Sequence, residues 1–225
     1  GKPLFPVQES AVPGSTIPGE QAWPTQPFPA QSLQLLSTRI KPDDAWGLTF
    51  WDRGRCRDAI AALRNEGIFT PLAEQPTLLF PGSWGGGAYS PQTQQLIVNV
   101  NAAPFVAQLI RGAAAGTKQD HPVAGQKTMH VTMQGTPYTL AVGPLLSPLG
   151  IPCTAPPWGK LVAVDLAHGR IAWEVPLGSV HEMGPFPLPW HINWGTPNLG
   201  GGLVTDGGVF FIGATMDRQF RAFDV

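Results

Sequence analysis

Three stretches of this chain echo one another, and a chain that repeats its strands has few folds open to it. The stretch "LVAVDLAHGRIAW" at 161–173 has its first half repeated as "FRAFDV" at 220–225, Leu-x-Ala-Val-Asp-Leu against Phe-x-Ala-Phe-Asp-Val. Its second half, running on as "GRIAWEV" at 169–175, returns as "GKPLFPV" at 1–7. Each unit reads strand, turn, strand, with Asp closing one strand, Gly supplying positive φ at the turn and an aromatic on the next. Four-stranded sheets packed radially, each burying a face on its neighbour, are written in this way. The expectation is an all-β chain forming part of a β-propeller; an ordinary β-sandwich is the alternative that partial copies leave open. The chain starts and stops at the same phase of the repeat, so it is expected to be a cut from a larger circular array.

Composition decides between a folded chain and a disordered one. With 27 Gly and 25 Pro the chain is rich in turn formers, but it is also 43% apolar and its eight Trp are spread along its length. A turn-rich folded protein follows. A formal charge of −1 gives no electrostatic reason to expect nucleic acid as a partner. No run of 18 apolar residues exists, so no stretch reads as a membrane-spanning helix. Cys56 and Cys153 fit no metal or redox spacing, and two buried thiols or one disulfide both remain open.

Along the chain, residues 1–45 carry Pro at short intervals and are expected to form a long extended arm rather than sheet. Residues 46–70 form a helical insertion around "DRGRCRDAIAALRNEGIF", with Asp52 as cap, Cys56, Ala59, Ile60 and Leu63 on one face and Gly67 at the left-handed C′ position. Residues 71–225 are expected to hold the blade segments, with "PTLLFPG" and "QQLIVNV" as strands, the second preceded by the turn "SPQT". The polar, Gly-rich residues 112–136 read as a surface excursion.

At this point the chain resembles a known family. The motifs "PTQPFP", "DAWGLTFWDRGRCR", "GIFTP", "LFPGSWGGGAYSP", "LGIPCTAPPWGKLVAVDL" and "GTPNLGGGLVTDGGVFFIGATMDRQFRAFD" occur in that order. Each alone is weak; together they resemble the C-terminal half of membrane-bound quinoprotein dehydrogenases that use pyrroloquinoline quinone, with the glucose dehydrogenase branch nearest and quinate/shikimate dehydrogenases sharing the outline. The resemblance implies an eight-bladed propeller with the quinone on its axis, of which this chain supplies about three to four blades. It also implies the bacterial periplasm, inner-membrane attachment through a segment not in this chain, Ca²⁺ or Mg²⁺ beside the quinone, an aldose or polyol as substrate and ubiquinone as electron acceptor.

The family chemistry withdraws a hydroxyl proton to a carboxylate and a hydride to a quinone carbonyl polarised by the cation. The resemblance points to Asn99, in "LIVNVNAAPF", as cofactor-binding and as a metal ligand through its amide oxygen. It points to Trp84, Gly85 and Gly86 as a flat face on a loop whose glycines permit close approach, and to Asp217 as a further cofactor contact. The ordinary alternatives are a polar strand end for Asn99, blade packing for the Trp loop and a turn residue for Asp217. The family's proton-abstracting Asp and quinone-contacting Lys have no counterpart in residues 1–225, so no residue here is expected to be catalytic and the chain alone is expected to be inactive. A non-catalytic propeller scaffold is the competing function.

Other chemistries find no support. His121, His130, His168, His181 and His191 show no paired zinc spacing, no serine sits in a Gly-x-Ser-x-Gly elbow, and "GTPNLGGGLVTDGG" lacks the Lys-Ser/Thr ending of a phosphate loop. Asp43 and Asp44 read as a turn or helix start.

Overall fold

A computed structural model describes residues 2–29, 33–37, 39–80, 82, 84–112, 128–181 and 192–225. Ser83, His121 and His191 lie outside the described residues, as do residues 113–127 of the expected surface excursion. Thirteen strands and one α-helix are present among the described residues, and all strand pairs are antiparallel.

One sheet is a four-stranded meander in space. It consists of β4 (Gly87–Ser90), β5 (Gln95–Asn101), β9 (Gly159–Asp165) and β10 (Arg170–Pro176), in the order β10-β9-β5-β4. The sheet β11 (Gly202–Val204), β12 (Val209–Ile212) and β13 (Arg221–Asp224) packs on one of its faces. Ile97, Leu161, Ala163 and Leu177 meet Phe210 and Ile212 there, with Trp173, Val175 and Phe223 at the margin. This face-to-face burial of consecutive sheets is what the repeat predicts, since β9–β10 and β13 are the repeated stretches. Both faces of β5 are covered. Alternation sends Ile97, Asn99 and Asn101 toward β11–β13. Leu96, Val98 and Val100 lie on the other face, against Leu33, Leu35 and Leu36.

The long connection from β5 to β9 contributes most of a third sheet. It is built from β3 (Thr77–Leu79), β6 (Phe105–Arg111), β7 (Met129–Thr132) and β8 (Tyr138–Pro144), in the order β3-β6-β8-β7. Residues 129–132 of the expected excursion are therefore an edge strand paired with β8.

Helix α1 (Phe50–Ala61) lies within the expected helical insertion and packs on this third sheet. Cys56, Ile60 and Leu63 meet Leu78, Val106, Ala141 and Leu145, so the face read from the sequence is the buried one. Its ends differ from expectation. Thr49, not Asp52, is the cap, its hydroxyl accepting from the Asp52 amide at 3.1 Å. Asp52 is fully buried one turn on, where its carboxylate accepts from Leu48 N at 3.2 Å. The helix stops before Gly67 because Arg64 turns away to pair with the strand region, its amide bonding Pro76 O at 2.8 Å and its carbonyl accepting from Leu78 N at 2.9 Å. Gly67, with φ of 122°, instead shapes the turn to Thr70. Cys56 and Cys153 are joined in a disulfide.

The arm is a second correction. Residues β1 (Val7–Ala11) and β2 (Thr25–Pro29) pair as a hairpin with Glu9 opposite Pro27 and Val7 opposite Pro29. Prolines two residues apart share one side of a strand, so both can turn their missing donors to the free edge and leave the pairing intact.

Candidate cofactor site

The expected site residues lie at a single rim of the blade sheets. Asn99 and Asn101 close the C-terminal end of β5, Gly159 opens β9, Ser179 follows β10 and the turn 213–220 links β12 to β13. Across this rim runs the segment Gly195–Gly201, carrying the chain to β11. Glycine is needed at three of the places where that segment touches backbone. A methyl on Gly159 would overlap the Thr196 carbonyl, one on Gly195 the Gly159 carbonyl, and one on Gly85 the Gly200 carbonyl and Gly201 amide.

The start of the crossing is held by three tryptophans. Trp46, Trp158 and Trp194 pack edge to face, with ring centroids 5.5–5.7 Å apart. Trp158 N donates to Trp194 O at 2.8 Å, and the indole Nε1 of Trp158 donates to Thr154 O at 2.8 Å.

Asn99 is buried, and its Nδ2 donates to Asn198 Oδ1 at 2.6 Å and to Gly200 O at 2.8 Å. Two acceptors at one end of the amide fix that end as the NH₂, so the oxygen is the end turned from the crossing. Asn101, two residues along the same face, completes the junction. Its Nδ2 donates to Gly82 O at 2.9 Å and Asn198 O at 2.5 Å, while its Oδ1 accepts from Asn198 N at 2.7 Å. Trp84, 76% exposed, stands on the loop that Gly85 presses against Gly200 and Gly201. Gly86, with φ of 76°, adopts the left-handed backbone that turns this loop into β4. Gly85, beside Trp84 on its loop, and Asn99 thus both meet Gly200.

Asp217 is at the same rim but in different surroundings. Its carboxylate accepts from Ser179 N at 2.7 Å, Thr215 Oγ1 at 2.5 Å, Gln219 N at 3.3 Å and Arg221 Nη1 at 3.0 Å, with Arg221 Nη2 closing the pair. Burial pushes the carboxyl up. The Arg221 guanidinium, the Thr215 hydroxyl and the Ser179 amide outweigh it and hold the group well below the usual carboxylate range. Such a group ties the turn 213–220 to the end of β10. The residues that sequence reasoning passed over are Asn101, Asn198 and Gly200. The Asn-x-Asn spacing on β5 was the available signal for the first, because period two places both amides on one face.

A profile of the glucose/ethanol/alcohol dehydrogenase β-propeller domain, which carries the quinone cofactor's abbreviation PQQ in its description, matches residues 1–225. The chain belongs to this quinoprotein family. Three relatives, each matched over the whole chain, illustrate its range. The chain is 39% identical to a probable quinate dehydrogenase (quinone) of Xanthomonas campestris pv. juglandis, over 30% of that protein. It is 37% identical to the quinoprotein glucose dehydrogenase of Escherichia coli K12, over 29% of that protein, and 36% identical to a glycerol dehydrogenase large subunit of Gluconobacter thailandicus, over 33%. The chain therefore spans about a third or less of the length of the curated relatives it matches. Their names differ in substrate, so family membership singles out no one substrate.

The rim meets part of what such a cofactor demands. An exposed indole is a flat apolar face, and an oriented buried amide offers an oxygen suited to a hard cation or a hydrogen-bond donor. Among the described residues no group of three or more His, Cys, Asp or Glu is placed to hold an ion.

Proposed function

We propose that this chain works within a longer quinoprotein dehydrogenase, forming a sector of the propeller whose rim faces pyrroloquinoline quinone. The observation that carries the reading is the convergence of the Trp84 loop and the Asn99 amide on Gly200, a crossing so tight that only glycine backbone fits. Trp84 would offer its face to the planar ring, with Gly85 and Gly86 letting the backbone come close. Asn99 would present its amide oxygen to the quinone or to a Ca²⁺ or Mg²⁺ ion beside it, the other ligands coming from outside residues 1–225. When bound, the quinone accepts the hydride and electrons of the oxidised hydroxyl. Residues 1–225 hold and orient; the proton-abstracting carboxylate belongs to another part of the protein, and these residues alone are inactive. Asp217 acts on the cofactor only through the turn it anchors.

The substrate in this reading is a hydroxyl of an aldose or polyol, with ubiquinone as acceptor. A cyclic hydroxy acid is the second reading, favoured by the 39% identity to the quinate relative. The Cys56–Cys153 disulfide supports an oxidising compartment, which for a bacterial enzyme attached to the inner membrane is the periplasm. No helix among the described residues is long and apolar enough to cross a membrane, so attachment would be made elsewhere. The test is reconstitution of the full-length protein with the quinone and Ca²⁺ or Mg²⁺, followed by dye reduction with glucose, glycerol and quinate. Reduction with one of them supports the proposal and selects its substrate class. No reduction with any, after quinone uptake has been verified by absorbance, rejects the dehydrogenase reading.

A further inference from the structure

We propose that Asn198 is a positioning residue for the quinone site, acting through Asn99 and the Trp84 loop; this rests on the quinone-facing reading of the rim given above. Asn198 is 1% exposed. Its Oδ1 accepts from Asn99 Nδ2 at 2.6 Å, and its own Nδ2 donates to Thr196 O at 3.2 Å. Its backbone N–H and C=O both engage the Asn101 amide, at 2.7 and 2.5 Å. Asn198 also makes an isolated antiparallel bridge with Thr215, in the turn that Asp217 anchors. One buried residue therefore joins β5 to the crossing that leads into the next sheet.

The division of labour inside Asn198 makes the inference specific. Its backbone, held by Asn101, places the crossing, and so places Gly200 beneath Gly85 and the Trp84 loop. Its side chain does something separate: it occupies the NH₂ end of Asn99. With Oδ1 of Asn198 and the Gly200 carbonyl both requiring a donor, Asn99 has one amide orientation, and its oxygen is turned from the crossing. If the Asn198 oxygen is removed, Gly200 O alone fixes the amide, and the rotation that exchanges oxygen and nitrogen becomes accessible. A purely structural residue would stabilise the rim without caring which end of Asn99 is which.

Two substitutions in the full-length protein separate these roles. Asn198→Asp retains an oxygen for Asn99 Nδ2; Asn198→Leu is similar in size and retains none. Both lose the bond to Thr196 O, so both lower the melting temperature of the quinone-free protein. Quinone binding is then followed by absorbance titration in the presence of Ca²⁺ or Mg²⁺, a readout independent of turnover. The proposal expects Asn198→Asp to bind quinone within about threefold of the parent, and Asn198→Leu to bind at least tenfold more weakly. Equal affinities for the two variants, or losses that simply follow their melting temperatures, overturn it. If Asn198→Leu does not fold, Asn198→Ala takes its place against Asn198→Asp under the same criteria. A parent protein that itself gives no saturable quinone signal contradicts the quinone-facing reading instead, and is distinguished from failure of the Asn198 role by that measurement alone.

Discussion

Asn99 and Asp217 both sit at the blade rim, and their neighbours give them opposite characters. Asn99 has its donor end taken by Asn198 and Gly200, which directs an oxygen away from the crossing. Asp217 has its oxygens taken by Ser179, Thr215, Gln219 and Arg221, which leaves it a fastener. Asp217→Asn is therefore expected to cost about 1.5–3 kcal/mol at pH 7, the range for hydrogen bonds made to a charged group. The pH dependence has a definite sign. Because the folded carboxyl titrates below its unfolded value, its contribution is complete above ~pH 4 and declines as acid drives the pH through the lowered folded value. Denaturation of parent and variant at pH 7 and pH 3 should show the gap narrowing in acid; a gap constant with pH contradicts the assignment. At Gly85 an added methyl meets backbone on the other side, so Gly85→Ala should weaken quinone uptake and lower the melting temperature together, with the Trp84 loop displaced. Asn99 and Trp84 were visible in the sequence because they lie within recognisable motifs. Asn198 lies in the quoted motif "GTPNLGGG" as well but was not singled out, since its partner Asn99 is 99 residues away and nothing local marks an asparagine as the keystone of a crossing.

Helix α1 and the hairpin β1–β2 show where local pattern carries and where it fails. The buried face of α1 follows from 3.6-residue periodicity, so Cys56, Ile60 and Leu63 were readable. Its cap was not: Thr49 and Asp52 are both good N-cap types three residues apart, and only the burial of Asp52 against Leu48 N separates them. Thr49→Ala should cost about 1 kcal/mol by equilibrium unfolding. The hairpin was missed because proline density alone was weighed, whereas the spacing of Pro27 and Pro29 confines both to one strand edge. Between α1 and the rim, the disulfide links positions 97 apart, and the loop-entropy model assigns about 4–5 kcal/mol to such a closure. Denaturant unfolding with and without reductant measures it, and an unchanged midpoint contradicts a structural bridge. Trp158, 1% exposed among Trp46 and Trp194, should cost about 3–5 kcal/mol when replaced by Ala. That change should also loosen the crossing that begins at Gly195.

At the scale of the whole molecule, the repeat in the sequence and the packing of β4-β5-β9-β10 on β11-β12-β13 are one fact seen twice. The echoing stretches at 161–166 and 220–225 supply β9 and β13, the third strands of two sheets that complete each other's apolar face, whereas the echo that ends at Val7 leads into the β1–β2 hairpin. The third sheet was less readable, because its strands β6, β7 and β8 are enclosed between β5 and β9, and no repeat marks them. Radial packing gathers distant loops at a common rim, and so the glycine-rich crossing, the Trp84 loop and the end of β5 meet there. The central claim is that this rim faces the quinone. The most direct measurement is the structure of the full-length protein with pyrroloquinoline quinone bound, read for the position of the ring relative to Trp84 and Asn99. The account predicts the quinone against the indole face, with centroids within about 7 Å, and the Asn99 oxygen directed to the quinone or its metal. A quinone bound at the opposite rim of the sheets, with Trp84 still facing solvent, would contradict it.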